Sequence, residues 1–216
     1  MKGKTAIVFG ATGLTGSEVV RQLLEDERYE RVKIFARHDP QISHKKLEVH
    51  ISDISDVNNC SEHITGDDIF ICLGTTIRKA GSIKAMEEAD RDIPAAIADV
   101  AAANDVRGLA VVSSIGANAG SRNYYLRIKG EMEQLVRNAG ITKTVIVRPS
   151  MLLGNRNEFR FGEEAGKLIM RAFGFLFVGR LRKYRGIQGA DVAAAMIRIL
   201  NSPATGDKVI YESDEL

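Results

Sequence analysis

Two adjacent serines, Ser113 and Ser114, stand upstream of two adjacent tyrosines, Tyr124 and Tyr125, and Lys129 follows. These residue types can move a proton to or from an oxygen atom. A phenol ionises near pH 10 when unperturbed, so it is a slow acid or base at neutral pH. A lysine ammonium nearby favours the phenolate and lowers that value. The phenol can then exchange its proton with a carbonyl or alcohol oxygen, and a serine hydroxyl can hold the same oxygen. Spacing chooses between the tyrosines. Each helical residue turns about 100°, so Tyr125 projects about 40° from Lys129 and Tyr124 about 140°. Tyr125 and Lys129 therefore share a face. Residue chemistry alone leaves Ser113 and Ser114 as alternatives.

The elements that must position these groups can be read from hydrophobic pattern. "KTAIVFG" at Lys4–Gly10 is a short apolar run ending in glycine, the signature of a strand buried on both faces. A helix is expected from Leu14, where Leu14, Val19, Val20, Leu23 and Leu24 fall at helical spacing. Further strands are expected at Arg31–Arg37, Lys46–Asp53, Asp67–Gly74, Gly108–Ser114 and Lys143–Pro149. Between them come an alanine-rich helix over Ile83–Ala103, bent at Pro94, and a helix over Arg122–Asn138 closed by Gly140. Strand and helix alternating in this way give an α/β fold, a Rossmann-type doubly wound parallel sheet with helices on both faces. Ligands are expected at the carboxyl ends of its strands. Ser113 and Ser114 end one strand there, and Tyr125 and Lys129 open the next helix. Past Pro149 the alternation weakens to helices near Glu163–Phe173 and Ala190–Leu200 and a last strand at Asp207–Glu212. The chain is expected to form one domain over residues 1–216. Its core covers about 1–150, and the portion over about 151–216 builds the substrate side or a lid.

"GATGLTG" places Gly10, Gly13 and Gly16 between the first strand and the first helix. Glycines there let the backbone approach a pyrophosphate, and the helix N-terminus supplies N–H donors and the positive end of its dipole. The strand–turn–helix context makes the triplet a dinucleotide-binding signal. The end of the second strand bears on which dinucleotide binds. A binder of the non-phosphorylated form usually places an acid there for the ribose hydroxyls. This chain has Arg37 and His38, with Asp39 further out. Arginine's planar fork of donors suits a 2′-phosphate, so NADPH/NADP is favoured over NADH/NAD. Asp53 and Ile54 after the third strand can hold and cover an adenine. Leu73 and Gly74 end the fourth strand near the cofactor's centre, and Thr75 and Thr76 serve equally well as turn residues.

Composition narrows the classes. The chain of 216 residues carries a net charge of +2, which gives no electrostatic case for nucleic acid or for a membrane surface. No run reaches the roughly 20 apolar residues that span a bilayer, and no signal peptide is read at the N-terminus. The two cysteines, Cys60 and Cys72, fit neither a metal spacing nor a disulfide framework, which suits a reduced cytoplasmic setting. No metal site is expected. The basic and aromatic stretch Arg171–Gly186 reads as packed helix and loop, as a pocket wall or lid, or as a contact surface for a protein partner or a second copy. Monomer and homodimer both remain open.

Taken in order, "GATGLTG", "CLGTTIRKAG", "DRD", "SSIGAN", "YLRIKGEME" and "RPSMLLGNR" resemble the short-chain dehydrogenase/reductase superfamily. They look most like its atypical branch of HIV Tat-interactive-protein oxidoreductase-like proteins. The match runs from Lys4 to about Arg160. The resemblance implies an NADPH-binding Rossmann fold with Tyr125 as proton donor or acceptor and Lys129 as its partner, holding the cofactor's ribose as well. It implies cofactor contacts by Thr12, Gly13, Leu14, Thr15, Arg37, His38, Leu73, Gly74, Leu152 and Arg160, beside Gly10, Gly16, Asp53, Ile54, Tyr125 and Lys129. The branch's spacing selects Ser113, while other branches space these residues slightly differently. The expected activity is hydride transfer to a small-molecule carbonyl substrate. The alternative is an NADPH-gated protein that regulates a partner with little turnover. This chain is shorter than many members of the superfamily, which leaves little room for a separate substrate domain.

Overall fold

The computed structural model describes residues 3–153, 179–203 and 208–216. Its centre is a seven-stranded sheet. In chain order the elements are β1 (Lys4–Phe9), α1 (Leu14–Glu25), β2 (Tyr29–Ala36), β3 (Leu47–Ile51) and β4 (Asp68–Ile71). Then come α2 (Ile77–Ala80), α3 (Ile83–Glu87), α4 (Ile93–Ala103), β5 (Gly108–Val112) and α5 (Tyr124–Asn138). Next are β6 (Lys143–Arg148), β7 (Leu152–Leu153), β8 (Ile187–Gln188), α6 (Gly189–Asn201) and β9 (Ile210–Glu212). The sheet order is β3-β2-β1-β4-β5-β6-β9, and every neighbouring pair is parallel. The order reverses between β1 and β4, which makes that edge the topological switch where a ligand crevice opens.

Strand alternation splits the interior into two layers. Ala6 and Val8 of β1 face α1 and α6 with Val20, Leu23 and Met196. Ile7 and Phe9 face the other side, among Ile97 of α4 and Met132 and Val136 of α5. Each buried isoleucine or phenylalanine contributes about 1.5–3 kcal/mol relative to exposure, so both faces of β1 anchor the switch point. Phe9, Phe35 and His50 stack across β1, β2 and β3 with centroid spacings of 4.7 and 4.9 Å.

Three departures from the expected elements stand out, the first with a clear cause. The helix expected over Ile83–Ala103 divides into α3 and α4, joined by a π-type turn over Glu88–Asp92. Ile93 N–H donates to the Glu88 carbonyl five residues back. Pro94 has no N–H to return to the Asp90 carbonyl, so the backbone widens before the proline where a simple bend was expected. The second departure is a short parallel pair, β7 with β8, after Pro149. The last strand is also shorter than expected, starting at Ile210. The helix expected near Glu163–Phe173 and most of the Arg171–Gly186 stretch lie outside the described residues, as does Arg160.

Candidate functional site

The loop after β1 is built by contacts that only glycine permits. Gly10 has φ +79°, and a Cβ there would sit 2.5 Å from the Cys72 carbonyl oxygen. A Cβ on Gly16 would sit 2.0 Å from the Gly10 carbonyl oxygen. The chain therefore folds back tightly, with Gly13 N–H donating to the Gly10 carbonyl at 2.9 Å. Helix α1 starts without a side-chain cap and with no acidic residue in its first turn. Its opening N–H groups and positive dipole end are left for an anion. Thr12 and Gly13 are exposed, Leu14 is half-buried, and Thr15 is buried. The Thr15 hydroxyl has no hydrogen-bond partner among the described residues. A buried unpaired hydroxyl is costly, and a phosphate oxygen would satisfy it. The loop thus fits a dinucleotide cofactor on its own geometry.

The neighbouring strand ends complete this side. Arg37 and His38 are exposed just beyond β2. Asp39 accepts from Gln41 N–H at 2.8 Å, closing a local turn in which Gln41 has φ +56°. Asp53 is exposed and accepts from Ser55 N–H at 3.0 Å. That backbone bond first, and the nearby Arg37 charge last, hold its carboxyl below the usual range. Ile54 and Leu73 are half-buried and pack against the α4/α5 layer. Cys72 follows β4, and burial pushes its thiol up to about 12, so it stays protonated. Leu152 in β7 packs against the opposite layer.

Gly74 links the loop side to the tyrosine–lysine side. A Cβ on Gly74 would lie 3.5 Å from Asp90 Oδ1 and 4.0 Å from Lys129 Nζ. Lys129 Nζ and Asp90 Oδ1 are 2.6 Å apart, with side chains 3% and 1% exposed. Asp90 Oδ2 accepts from Thr75 N–H at 3.1 Å. Burial would lower the lysine's pKa, but Asp90, then Tyr125 and Glu133, outweigh it and hold it above the ordinary range. Tyr125 stands one turn before Lys129 on α5 and is 37% exposed. Tyr124 lies under the Arg127 guanidinium, 5.1 Å from ring centroid to Cζ. Desolvation, then Glu87, push its phenol up. The two tyrosines have separate surroundings.

Helix α5 is fixed against the β5–α5 loop at Gly130, where a Cβ would meet Ala119 N at 2.1 Å and Asn118 C at 2.3 Å. Asn123 caps the helix by accepting from Leu126 N–H. Ser113 follows β5, and its N–H continues the pairing by donating to the Val147 carbonyl at 2.8 Å. Its hydroxyl donates to Glu133 Oε1 at 2.5 Å. Glu133 is itself bound by Arg148, at 2.9 Å from Nε and 2.6 Å from Nη2, and Arg148 reaches on to Glu212 at 3.2 Å. Ser114 is half-buried, and its hydroxyl makes a long 3.4 Å contact to the Ile115 carbonyl.

Asp90, Glu133 and Arg148 are the supporting residues that spacing arguments pass over. Each left a trace. Glu133 falls four after Lys129 on the same helical face, Asp90 falls four before Pro94, and Arg148 directly precedes Pro149.

The NAD(P)H-binding family model matches residues 10–203. Protein HTATIP2 of Rattus norvegicus is 29% identical over 217 residues, covering 99% of this chain and 88% of its own. Protein FMP52, mitochondrial, of Kluyveromyces lactis is 32% identical over 218 residues, covering 98% and 96%. Among solved structures, the Bordetella bronchiseptica enzyme WbmH in complex with NAD+ superposes with a TM-score of 0.74 at 15% identity, covering 98% of this chain and 76% of that one. A short chain dehydrogenase family protein from Francisella tularensis gives 0.67 at 18% identity, covering 98% of both chains. With the glycine loop at the switch of a parallel sheet and the match spanning nearly all of it, the chain belongs to the NAD(P)H-binding family.

Proposed function

We propose that this protein is an NADPH-dependent oxidoreductase that reduces a small carbonyl compound, with Tyr125 as the proton donor. The observation that carries this reading is exposed Tyr125 one turn before buried Lys129 on α5, with Lys129 beside Gly74 at the carboxyl edge of the sheet. The residues that would hold the cofactor are Gly10, Thr12, Gly13, Leu14, Thr15 and Gly16 at its phosphates, and Asp53 and Ile54 at the adenine. Leu73, Gly74, Tyr125, Lys129 and Leu152 would line its reactive end. When bound, the cofactor supplies hydride. Tyr125 gives its proton to the carbonyl oxygen as that oxygen gains charge. Ser113 is the serine that approaches the α5 side; its hydroxyl donates to Glu133, so to hold the carbonyl oxygen it would turn that proton from Glu133 to the substrate.

NADPH is preferred over NADH on the charge at the end of β2. Arg37 is exposed there, and the competing Asp39 is turned into its own Asx turn. The C-terminal portion over about 151–216 is assigned to the substrate side. The two free cysteines support a cytoplasmic setting. The FMP52 relatives are named mitochondrial, so fractionation of cells expressing the tagged full chain is the test of that point.

The test of the reaction is NADPH oxidation driven by a panel of aldehydes and ketones, with NADPH binding measured in parallel. Turnover that disappears in Tyr125→Phe while binding persists supports the reading. A panel without turnover, or a Tyr125→Phe protein that turns over normally, sinks it. The commitment of the Ser113 proton to buried Glu133 favours a second reading, in which the cofactor is held to order the cleft for a protein partner and is not consumed. Under that reading NADPH binds tightly and no carbonyl accelerates its oxidation.

A further inference from the structure

The outer face of α6 carries arginines that neither the cofactor nor the proton transfer uses. The core takes Val192, Ala193, Met196 and Leu200 from this helix, which leaves Asp191, Ala194 and Arg198 on the exposed side. Two turns close around that side. Arg185 N–H donates to the Arg182 carbonyl at 3.0 Å, so both arginines belong to one tight turn ahead of β8. The Ser150 hydroxyl donates to the Arg185 carbonyl, and the Ser213 hydroxyl donates to Ser150 Oγ at 3.1 Å. These bonds tie the arginine turn to the turn over Ser213–Glu215. Between them and α6 lies a cavity of about 390 Å³ that Arg182, Arg185 and Arg198 line, a size that takes a small molecule. Other arginines are closed by carboxylates: Arg28 by Asp26 at 2.5 Å, Arg91 by Glu131 at 2.9 Å and Arg148 by Glu133 at 2.6 Å. Arg182, Arg185 and Arg198 have no ion pair and no side-chain hydrogen bond among the described residues. Asp191, Asp214 and the last residue, Leu216, also line the cavity, and none of them comes close enough to pair with an arginine there. A neighbouring concavity of about 570 Å³ shares Ala194 and Arg198, but its other arginine is Arg28, already held by Asp26. Unpaired positive charge therefore gathers in the first.

We propose that this cavity binds a small, multiply charged anion, carrying phosphate or carboxylate groups, at a site separate from the dinucleotide cleft. A guanidinium presents a planar fork of donors that pairs two oxygens at once and is weakly hydrated. Three such forks, two from the turn and one from α6, meet a ligand from two sides. Their mutual repulsion falls when an anion enters between them. Asp191 and Asp214 make the cavity selective, because a ligand must set its charges against the arginines and away from the acids. That favours a molecule with several anionic groups over a simple halide. The cavity also lies apart from the residues proposed for the reaction. Helix α6 packs in the layer of Ala6 and Val8, whereas α5, which carries Tyr125 and Lys129, packs in the layer of Ile7 and Phe9. The sheet stands between the two helices, so the anion is not the compound that Tyr125 protonates.

The measurement is a calorimetric titration of the full chain at low ionic strength, with inorganic pyrophosphate in one arm and citrate in the other. Each arm is repeated with NADPH at saturation, because pyrophosphate can also meet the start of α1. Binding that persists in the presence of NADPH is expected. The tighter of the two probes identifies the ligand's anionic group as phosphate or carboxylate. Arg198→Gln should weaken that binding by about tenfold or more, the loss of a hydrogen bond between charged groups. The triple variant Arg182→Gln/Arg185→Gln/Arg198→Gln should abolish it, with NADPH affinity and melting temperature as in the parent. All three side chains are exposed, so the substitutions spare the core. Should the triple variant nonetheless melt early, Arg185→Gln and Arg198→Gln singly carry the comparison. Two probes that fail to bind, binding that NADPH displaces, or binding that the triple variant keeps each overturn the proposal. A parent that does not bind NADPH sinks the nicotinamide reading instead, and the loss of probe binding in the triple variant still decides the α6 site.

Discussion

The two ends of the cleft solve opposite problems. At the glycine loop, the start of α1 has no side-chain cap, and the buried Thr15 hydroxyl has no partner among the described residues. At the tyrosine–lysine end nearly every polar group already has a partner. Lys129 has Asp90, Ser113 has Glu133, and Glu133 has Arg148. One end is shaped by what it must receive, and the other by charges that balance before any substrate arrives. A binding site can be built from glycines and a helix start, whose geometry costs little to hold. A proton-transfer site needs buried charge, and buried charge must be compensated internally.

Substitutions at the two ends should therefore fail in different ways. The largest effect is expected for Tyr125→Phe, which should reduce carbonyl-dependent turnover by about 10²–10⁴-fold with NADPH affinity nearly unchanged by fluorescence titration. Gly16→Ala should show the converse. Its Cβ meets the Gly10 carbonyl, and overpacking of about 1–3 kcal/mol should appear as a lower melting temperature and an affinity loss of about tenfold or more. Turnover at saturating NADPH should recover if the ends are independent, and a loss that saturation does not rescue would break the contrast. Next comes Arg37→Ala. NADPH binding should weaken by about 1.5–3 kcal/mol, the worth of a hydrogen bond to a charged group, and NADH binding should not. Equal losses for both cofactors would remove the phosphate role. The smallest effect is expected for Thr15→Val. It removes an unpaired buried hydroxyl, so the cofactor-free protein should melt at the same temperature or slightly higher. NADPH affinity should fall by about 0.5–1.5 kcal/mol. A variant that is less stable without cofactor would show that the hydroxyl serves the fold.

The same contrast explains what the amino-acid order revealed. β1 and its glycines could be read directly, because a short apolar run and fixed turn residues are local properties. Tyr125 could be separated from Tyr124 because helical rotation is also local, and Tyr124 alone of the two lies against the Arg127 guanidinium. The burial of Asp90 could not be read, even though it falls four before Pro94. A charge inside an alanine-rich helix normally belongs to the solvent face, and the π-type turn shifts the rotation that such a rule assumes. Choosing between Ser113 and Ser114 needed a partner on another element, since only Glu133 shows which hydroxyl meets α5. A bend in the long helix was anticipated at Pro94, but its division through a π-type turn was not, because a missing N–H marks where a helix must change and not how.

Gly130 has a consequence for motion as well as for position. With no side chain between α5 and the 118–119 backbone, the two surfaces are locked at atomic contact. Sliding the helix along its axis would drive main chain into main chain. Tyr125 and Lys129 are therefore denied the thermal travel that most surface helices keep. If the cleft closes on a ligand, the closing is expected from the opposite wall, with α5 as the stationary reference.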